Sequence, residues 1–261
     1  MYKIMRLAVK FAYDGKNFYG YARQPGLKTV EDDLIKSLIK HSFIEDTNKS
    51  KFRSASRTDK GVSALSNVIA FNTSAPKSSI ITSLSKDFSS ILVYGIKDVD
   101  PEFNPRYAKL RQYRYYLLAD DLDIEKIVKI AACFTGEHNF SNFSRLESFK
   151  NPIRIIYNIL FTIEDDFLII DFYAQTFLWH QVRKIMSALI KIGNGKLEKI
   201  QIIEALENPF KNIDFGLAPA EPLILRDIVY DFDFECDKIQ LKKLNFFEEA
   251  IFPKKFVTKN Y

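Results

Sequence analysis

Residues 52–71 read FRSASRTDKGVSALSNVIAF, and this stretch decides how the first half of the chain is built. Residues 52–55 and 67–71 have the apolar character of two strands. A polar loop, residues 56–66, separates them. The stretch therefore predicts a strand, a charged loop and a second strand in direct succession.

Helical and strand patterns interleave on both sides of this stretch. Alternating residues 7–13 predict a strand, and Thr29 begins a capping-box-like start of a helix over 30–39. A helix over 78–90 and a strand over 91–99 follow. The second half carries strands at 107–118 and 223–232, helices at 123–134, 178–192 and 198–206, and a hairpin of 153–163 with 167–173.

Two prolines within residues 100–105 predict a boundary between two lobes near residue 104. The hairpin in the second half argues against a purely parallel sheet. We therefore predict the α+β class, with an N-terminal α/β lobe over residues 1–104 and a C-terminal α/β lobe over residues 105–261.

Composition narrows the class of protein further. The 261 residues are 47% hydrophobic and 27% charged, and the net charge of +5 favours a polyanionic partner only slightly. The sequence contains no run of eighteen apolar residues, so it predicts no membrane span. The N-terminus lacks the pattern of a signal peptide. Cys133 and Cys236 stand far apart, which suits a reducing cytoplasm and predicts neither a disulfide framework nor a zinc site.

The polar loop carries one carboxylate, Asp59, between two cations, Arg57 and Lys60. This arrangement favours the ionised carboxylate and attracts phosphate at the same time. Asp-Lys-Gly is also a common turn sequence, in which glycine supplies a positive φ. The residues alone therefore leave a functional site and a simple turn as alternatives.

At this loop the sequence resembles the TruA family of pseudouridine synthases, whose signature is Arg-Thr-Asp-x-Gly-Val with a catalytic aspartate. Residues 57–62 match that signature, and the resemblance makes Asp59 the catalytic residue. Ser56 and Ser63-Ala64 replace the glycine and histidine-alanine of bacterial members, as in the archaeal and eukaryotic branches.

The resemblance extends in order over nearly the whole chain. Pro222 departs from it by replacing the usual glycine, which fixes φ near −65° there. The other matching segments are Tyr13-Asp14-Gly15 with Phe18, Gly20 and Gln24; Thr29-Val30-Glu31; Arg106 with the run 111–115; residues 136–140; residues 177–183; and residues 218–225.

The resemblance implies a role for each matching site residue. Tyr113 stacks on the target base and accepts a proton, and Arg183 pairs with the catalytic aspartate. Arg57 fills the space left by a flipped base, and Leu223 packs beside that base. The basic positions Lys60, Arg106 and Arg111, with Lys109 and Arg114, are expected to contact phosphates. The odd residues of strand 107–118 would form a basic and aromatic face that suits base stacking.

The resemblance also implies a fold, a partner and a substrate. The fold is two ferredoxin-like lobes that share an extended, mainly antiparallel sheet with a cleft between them, usually in a cytoplasmic homodimer. The substrate is tRNA, with uridines 38, 39 and 40 of the anticodon arm as the usual targets, and no cofactor is needed.

Two other classes of protein fit parts of the pattern. A non-catalytic RNA-binding module of the same fold would not need an intact Arg57-Thr58-Asp59. A metal-dependent nuclease using Asp14 and Asp59 would need a clustered acidic set, which the sequence lacks. For a synthase, the residues leave open attack at C1′, attack at C6 and a glycal route.

Overall fold

The computed structural model describes residues 4–147 and 149–251. The described chain divides into two compact units, the first made of residues 4–109 and 224–251 and the second of residues 110–147 and 149–223. The strands are β1 (Met5–Tyr13), β2 (Arg53–Ser54), β3 (Ser63–Thr73), β4 (Ile91–Val99), β5 (Leu110–Leu118), β6 (Gly136–Asn139), β7 (Ile153–Glu164), β8 (Phe167–Ala174), β9 (Leu223–Val229) and β10 (Glu235–Cys236). The α-helices are α1 (Val30–Lys40), α2 (Lys77–Asp87), α3 (Ile124–Ala131), α4 (Gln181–Gly193), α5 (Lys199–Glu207) and α6 (Lys238–Ile251).

The first unit is built on a sheet in the order β10-β4-β1-β3-β9, with β2 also paired to β3. All these pairs are antiparallel except β3 with β9, where Ser63 lies opposite Ile224. The central strand β1 is buried on both faces. Ala12 packs in a cluster with Leu92 and Tyr94 that α6 covers through Leu244 and Phe247.

The second unit contains an antiparallel sheet in the order β5-β8-β7-β6. A tight turn joins β7 to β8, so that Glu164 pairs with Phe167. Helix α3 packs on α4, and a Cβ at Gly193 would lie 2.6 Å from Cδ1 of Ile127. The glycine that ends α4 therefore also allows the two helices to approach each other closely.

The predicted α+β class and mainly antiparallel sheet are confirmed. The strand predicted at 91–99 and the hairpin are confirmed as β4 and β7–β8. Thr29 caps α1 as predicted, with its hydroxyl accepting from the backbone N–H of Asp32 at 3.4 Å. The apolar residues Val30, Leu34, Ile35 and Leu38 of this helix are buried, whereas Ile39 is 44% exposed.

The structure divides the chain differently from the predicted break at residue 104. The first unit continues to residue 109, and residues 224–251 return to it instead of staying in a C-terminal lobe. Backbone pairing explains the return, because β9 pairs with β3, β10 pairs with β4, and α6 packs on β3 and β4. Pairings between strands so distant in sequence leave no local periodicity.

Several other element boundaries differ from the prediction. β3 begins at Ser63 rather than residue 67, α2 ends at Asp87 rather than residue 90, and α3 ends at Ala131 rather than residue 134. The strand predicted from residue 107 begins at Leu110, and the strand predicted to end at residue 232 ends at Val229. The helix predicted from residue 178 begins at Gln181, because His180 has a left-handed φ of 65°.

No helix in the described ranges has the length and apolar character needed to cross a membrane.

Candidate active site

Asp59 lies on a loop of the first unit that leaves β2 and enters β3, here called the Asp59 loop (residues 55–62). Its carboxylate-bearing side chain is partly exposed, while Arg57 and Lys60 are exposed. The backbone N–H of Val62 donates to the Asp59 carbonyl at 3.2 Å, and Gly61 has a φ of 86°. The turn predicted from Asp-Lys-Gly is therefore present, and Asp59 is partly exposed within it.

The segment that follows β1 fixes this loop from one side. The hydroxyl groups of Tyr13 and Thr58 lie 2.8 Å apart, and the N–H of Tyr21 donates to the Thr58 carbonyl at 3.1 Å. Further along, the N–H of Gly15 donates to the Ser63 hydroxyl at 3.0 Å. Because Thr58 is bound through both its side chain and its backbone, its neighbour Asp59 has a defined position.

A buried amide fixes the other side of the loop. Asn67 is fully buried in β3, and its side chain accepts from the Ser56 N–H at 3.3 Å and donates to the Ser56 carbonyl at 3.0 Å. Ser56 itself is only 8% exposed. The serine that replaces the bacterial glycine therefore fits at this position as a small buried residue.

Two glycines permit the close approach of the segment and the loop. A Cβ added at Gly15 would lie 2.2 Å from the backbone oxygen of Val62, closer than any real contact. Gly20 has a φ of 99°, and a Cβ there would meet the backbone of Thr58 and Lys60 at 3.3 Å. The Tyr-Asp-Gly turn in the sequence is thus the feature that lets the Asp59 loop pack.

We expect Gly15→Ala to lower both stability and activity. The new methyl group must push against backbone rather than a flexible side chain, so a loss of about 1–3 kcal/mol in unfolding free energy is expected. Activity should fall further than stability alone explains, because the displaced backbone carries Asp59. Thermal unfolding and tRNA turnover measure the two effects.

Gly195→Ala is the matched control for this substitution. Gly195 also has a positive φ, 68°, but a Cβ there meets no atom within 4 Å. It should lose stability only through its backbone conformation and should keep its activity. Equal activity losses in the two variants would contradict a specific role for Gly15.

In the second unit, Tyr113 lies in β5 and is only 9% exposed. Its ring meets that of Phe177 edge to face, with centroids 5.2 Å apart. Phe177 belongs to the segment that leads into α4. This contact fixes the orientation of the Tyr113 ring. A role for Phe177 was not predicted from the sequence.

Arg183 lies in the first turn of α4, because the helix begins at Gln181 rather than at the predicted residue 178. Its Nε donates to the Ala218 carbonyl at 2.8 Å, and the Ala218 N–H donates to the Arg183 carbonyl at 3.2 Å. A cation near a helix N-terminus opposes the helix dipole, so the helix itself gains nothing from this arginine. The contact with residue 218 orients the guanidinium.

The remaining predicted binding residues have different environments. Arg106 is exposed in the first unit. Arg111 is 5% exposed, and its guanidinium donates to the carbonyl of Gln175. Leu223, the first residue of β9, is 5% exposed, and its N–H donates to the Ala220 carbonyl at 3.0 Å. The Pro222 carbonyl accepts from the N–H of Tyr116 at 3.1 Å.

The basic and aromatic face predicted for strand 107–118 is not a continuous exposed surface. Residues 107 and 109 precede the strand, and Tyr115 is fully buried, like most of Arg111 and Tyr113. Of the other predicted phosphate ligands, Lys109 pairs with Asp231. The prediction assumed that the odd-numbered face of β5 is open to a ligand, whereas this face contributes to the core of its unit.

Arg114 has a structural partner as well. Its guanidinium binds the Asp171 carboxylate through two hydrogen bonds, at 2.9 and 2.8 Å. These bonds raise the pKa of the Arg114 guanidinium above its usual value. Gln112 also donates to Asp171, at 3.0 Å. A phosphate would have to compete with this buried carboxylate for Arg114.

Within the described ranges, no three His, Cys, Asp or Glu side chains cluster as a metal site would require. Cys133 and Cys236 are both free thiols.

Comparison with known proteins gives consistent matches. A family model described as tRNA pseudouridine synthase matches residues 130–231. The tRNA pseudouridine synthase A of Thermococcus sibiricus is 41% identical over 244 residues, covering 92% of this chain and 91% of that protein. The enzyme of the same name from Methanobrevibacter smithii is 37% identical over 262 residues, covering 90% and 89%.

A solved structure, the archaeal box H/ACA sRNP Nop10–Cbf5 complex, is a much weaker match. It aligns with 68% of this chain and 44% of that chain at 15% identity and a TM-score of 0.34. A likeness at that level supports no argument about this protein.

Proposed function

Because this chain belongs to the tRNA pseudouridine synthase A family, and is an isomerase that forms pseudouridine in tRNA, we propose that Asp59 is its catalytic carboxylate. The observation that carries the proposal is the fixed position of the Asp59 loop. Thr58 is bound at 2.8 Å by Tyr13 and at 3.1 Å by the backbone of Tyr21, while Asp59 next to it stays partly exposed. A preorganised, accessible carboxylate is what covalent or electrostatic catalysis at a sugar requires.

The chemistry of the reaction explains how a single carboxylate can serve as its main catalytic group. The bond between N1 and C1′ breaks, the uracil turns, a bond forms between C5 and C1′, and the proton on C5 leaves while N1 gains one. No electrons and no groups are exchanged with a second substrate, so the reaction consumes no cofactor. Asp59 either attacks C1′ or C6, or takes part in a glycal route.

Two residues of the second unit complete the proposed catalytic set. Tyr113 stacks on the uracil and accepts the proton from C5, and Arg183 pairs with the catalytic carboxylate and holds it in one orientation. The support is the family resemblance, together with the fixed orientation of each group in its own unit. Phe177 orients the Tyr113 ring, and Ala218 orients the Arg183 guanidinium.

Binding of the tRNA falls to a further set of residues. A uridine in a stem must be flipped out before its sugar and ring can react. We propose that Arg57 fills the vacated space, that Leu223 packs beside the flipped base, and that Lys60 and Arg106 contact phosphates. The exposure of Arg57, Lys60 and Arg106 supports these roles. Arg111 is only 5% exposed and donates to the Gln175 carbonyl, so it is less accessible to a phosphate than the exposed cations.

Salt dependence tests the binding set. Each phosphate contact contributes roughly 0.9 to the slope of log affinity against log salt on a duplex. We expect Arg106→Gln to reduce that slope by about one contact. We expect Arg114→Gln to leave it unchanged, because Arg114 is engaged by Asp171. Equal reductions for Arg114 and Arg106 would contradict the division between structural and RNA-facing arginines. Activity is expected to survive EDTA throughout.

We propose the anticodon arm, positions 38, 39 and 40, as the place of modification. The support is the family resemblance and the chemistry of the binding set. Lysine and arginine contact phosphates and tyrosine stacks on bases, and neither reads neighbouring bases strongly. In A-form stems the major groove is too narrow for side chains to read base edges. Recognition therefore rests on tRNA shape, and adjacent uridines are all accepted.

A series of tRNA transcripts tests this proposal. One uridine is moved stepwise through the anticodon arm, and pseudouridine is mapped at each position. We expect two or three neighbouring positions to react, and swapped flanking pairs to be tolerated. An isolated anticodon stem-loop should react poorly. Reaction at a single position that one flanking-pair swap abolishes would contradict shape reading.

We also propose that the protein acts as a homodimer in the cytoplasm. The family resemblance supports the dimer, and so does β7, which exposes large apolar side chains of the kind found at interfaces. These are Ile153, Ile155, Tyr157, Leu160 and Ile163. Light scattering on the purified protein measures its mass in solution.

The free thiols and the tRNA substrate support a cytoplasmic location.

A further inference from the structure

An exposed tyrosine lies directly beside the Asp59 loop. The ammonium group of Lys60 lies 4.3 Å from the centroid of the Tyr19 ring, within the range of a cation–π contact. Tyr19 is 49% exposed, and Lys60 is also exposed. Since Lys60 follows Asp59 in the chain, the ring contacts the loop that carries the proposed catalytic carboxylate.

The backbone of Tyr19 is held by a hydrogen bond at its N–H and another at its carbonyl. Its N–H donates to the Lys28 carbonyl at 2.8 Å, and its carbonyl accepts from Nε2 of Gln24 at 2.9 Å. The next residue, Gly20, packs against the backbone of Lys60. The ring is therefore presented to solvent from a rigid support, so a ligand that stacks on it loses little by ordering the protein.

The surroundings of Tyr19 favour a polyanion that carries aromatic groups. Lys16, Arg23 and Lys28 are exposed in the same segment. The ammonium of Lys28 lies 5.0 Å from the Phe18 ring, but Phe18 is only 3% exposed, so this pair contributes a cation and no accessible ring. Cations beside accessible aromatic rings are how proteins bind unstacked nucleotides, with the ring taking the base and the cation taking the phosphate.

We propose that Tyr19 and Lys60 form a stacking platform for a base of the tRNA that neighbours the target uridine. Flipping a nucleotide leaves its neighbours without a stacking partner, and a rigid ring next to the catalytic loop can replace that partner. The platform's place beside the reacting nucleotide rests on the proposed role of Asp59. Tyr19 is thus a binding residue, and it does not take part in bond breaking.

The first experiment measures tRNA affinity for Tyr19→Leu, Tyr19→Phe and a control, Phe246→Leu. Phe246 is an aromatic residue of the same unit that is 71% exposed on α6. Stacking on one base corresponds to roughly 5- to 150-fold in affinity. We expect a loss in that range for Tyr19→Leu, and little change for Tyr19→Phe or the control. Affinities for Tyr19→Leu and Phe246→Leu that match the unmodified protein would overturn the proposal.

Lys60 is tested through its charge. We expect Lys60→Met to reduce the salt slope by about 0.9, as for one phosphate contact, and Tyr19→Leu to leave the slope unchanged. Thermal unfolding of each variant separates a binding defect from a folding defect. An unchanged slope for Lys60→Met would overturn the phosphate part of the platform.

The second experiment locates the stacked base. Transcripts carry a single abasic residue at each position flanking the target in turn. We expect one of these to bind the unmodified protein as weakly as Tyr19→Leu binds intact tRNA, and Tyr19→Leu to lose nothing more on it. A constant penalty for Tyr19→Leu on every abasic tRNA would overturn stacking on a base.

These outcomes are distinct from failure of the proposed catalytic assignment. The platform is judged on binding alone, whereas the role of Asp59 is judged on product. An active Asp59→Asn variant would remove Asp59 from catalysis without changing the affinity measured for Tyr19→Leu. Unchanged affinity for Tyr19→Leu would remove the platform and leave Asp59 in place.

Discussion

Replacement of Asp59 by asparagine is expected to abolish pseudouridine formation, with a loss of at least about 10³-fold in turnover, as found when essential catalytic groups are removed. Asparagine has nearly the same shape, so the bonds that fix Thr58 and the turn to Val62 should survive. The amide carries no negative charge, and it neither attacks carbon nor stabilises developing positive charge as a carboxylate does.

The affinity of Asp59→Asn for tRNA should stay near normal. Removal of a negative charge from a surface that binds a polyanion does not weaken the binding. Asp233→Asn is a suitable control, because Asp233 is an exposed carboxylate of the same unit outside the Asp59 loop. This control should keep full activity. Substantial product from a clean Asp59→Asn preparation would show that another group performs the chemistry.

Replacement of Arg183 by alanine is expected to cost about 10²–10³-fold in turnover, comparable to the removal of one preorganised electrostatic contact. In the proposed mechanism this guanidinium pairs with the catalytic carboxylate and orients it. The loss should therefore appear in turnover while thermal unfolding stays near that of the unmodified protein. A purely structural role for Arg183 would lower the unfolding temperature instead.

Two further variants sharpen the test of Arg183. Arg183→Lys keeps the charge but loses the planar fork whose Nε binds the Ala218 carbonyl, so an intermediate loss is expected. Lys184→Ala removes the neighbouring cation, whose ammonium group pairs with the Asp214 carboxylate at 3.0 Å. This variant should stay active. Near-normal turnover of Arg183→Ala at neutral pH would show that Arg183 only orients residue 218.

Local sequence signals predicted the parts of the fold that depend on neighbouring residues. β4 and the β7–β8 hairpin have a regular apolar period and clear turn residues, and both lie where the sequence placed them. The return of residues 224–251 to the first unit was not predicted. It depends on Ser63 pairing with Ile224, and such distant pairings are set by the tertiary fold.

The candidate site was predicted to a similar extent. The charges around Asp59 and the family resemblance identified the loop, and the Tyr-Asp-Gly turn was noted without a role. The contact of Tyr13 with Thr58 joins residues 45 positions apart, so only the structure reveals it. The burial of Arg111 was missed because a strand sequence does not tell which of its faces packs against the core of its unit.

The most direct test of the account is to map pseudouridine by carbodiimide-blocked primer extension in a tRNA transcript. The transcript is incubated with the purified protein, with Asp59→Asn, or with Asp233→Asn. The account predicts a new block at one or more of positions 38, 39 and 40 with the unmodified protein and with Asp233→Asn, and none with Asp59→Asn. A block of equal strength with Asp59→Asn, or no block with the unmodified protein, would contradict it.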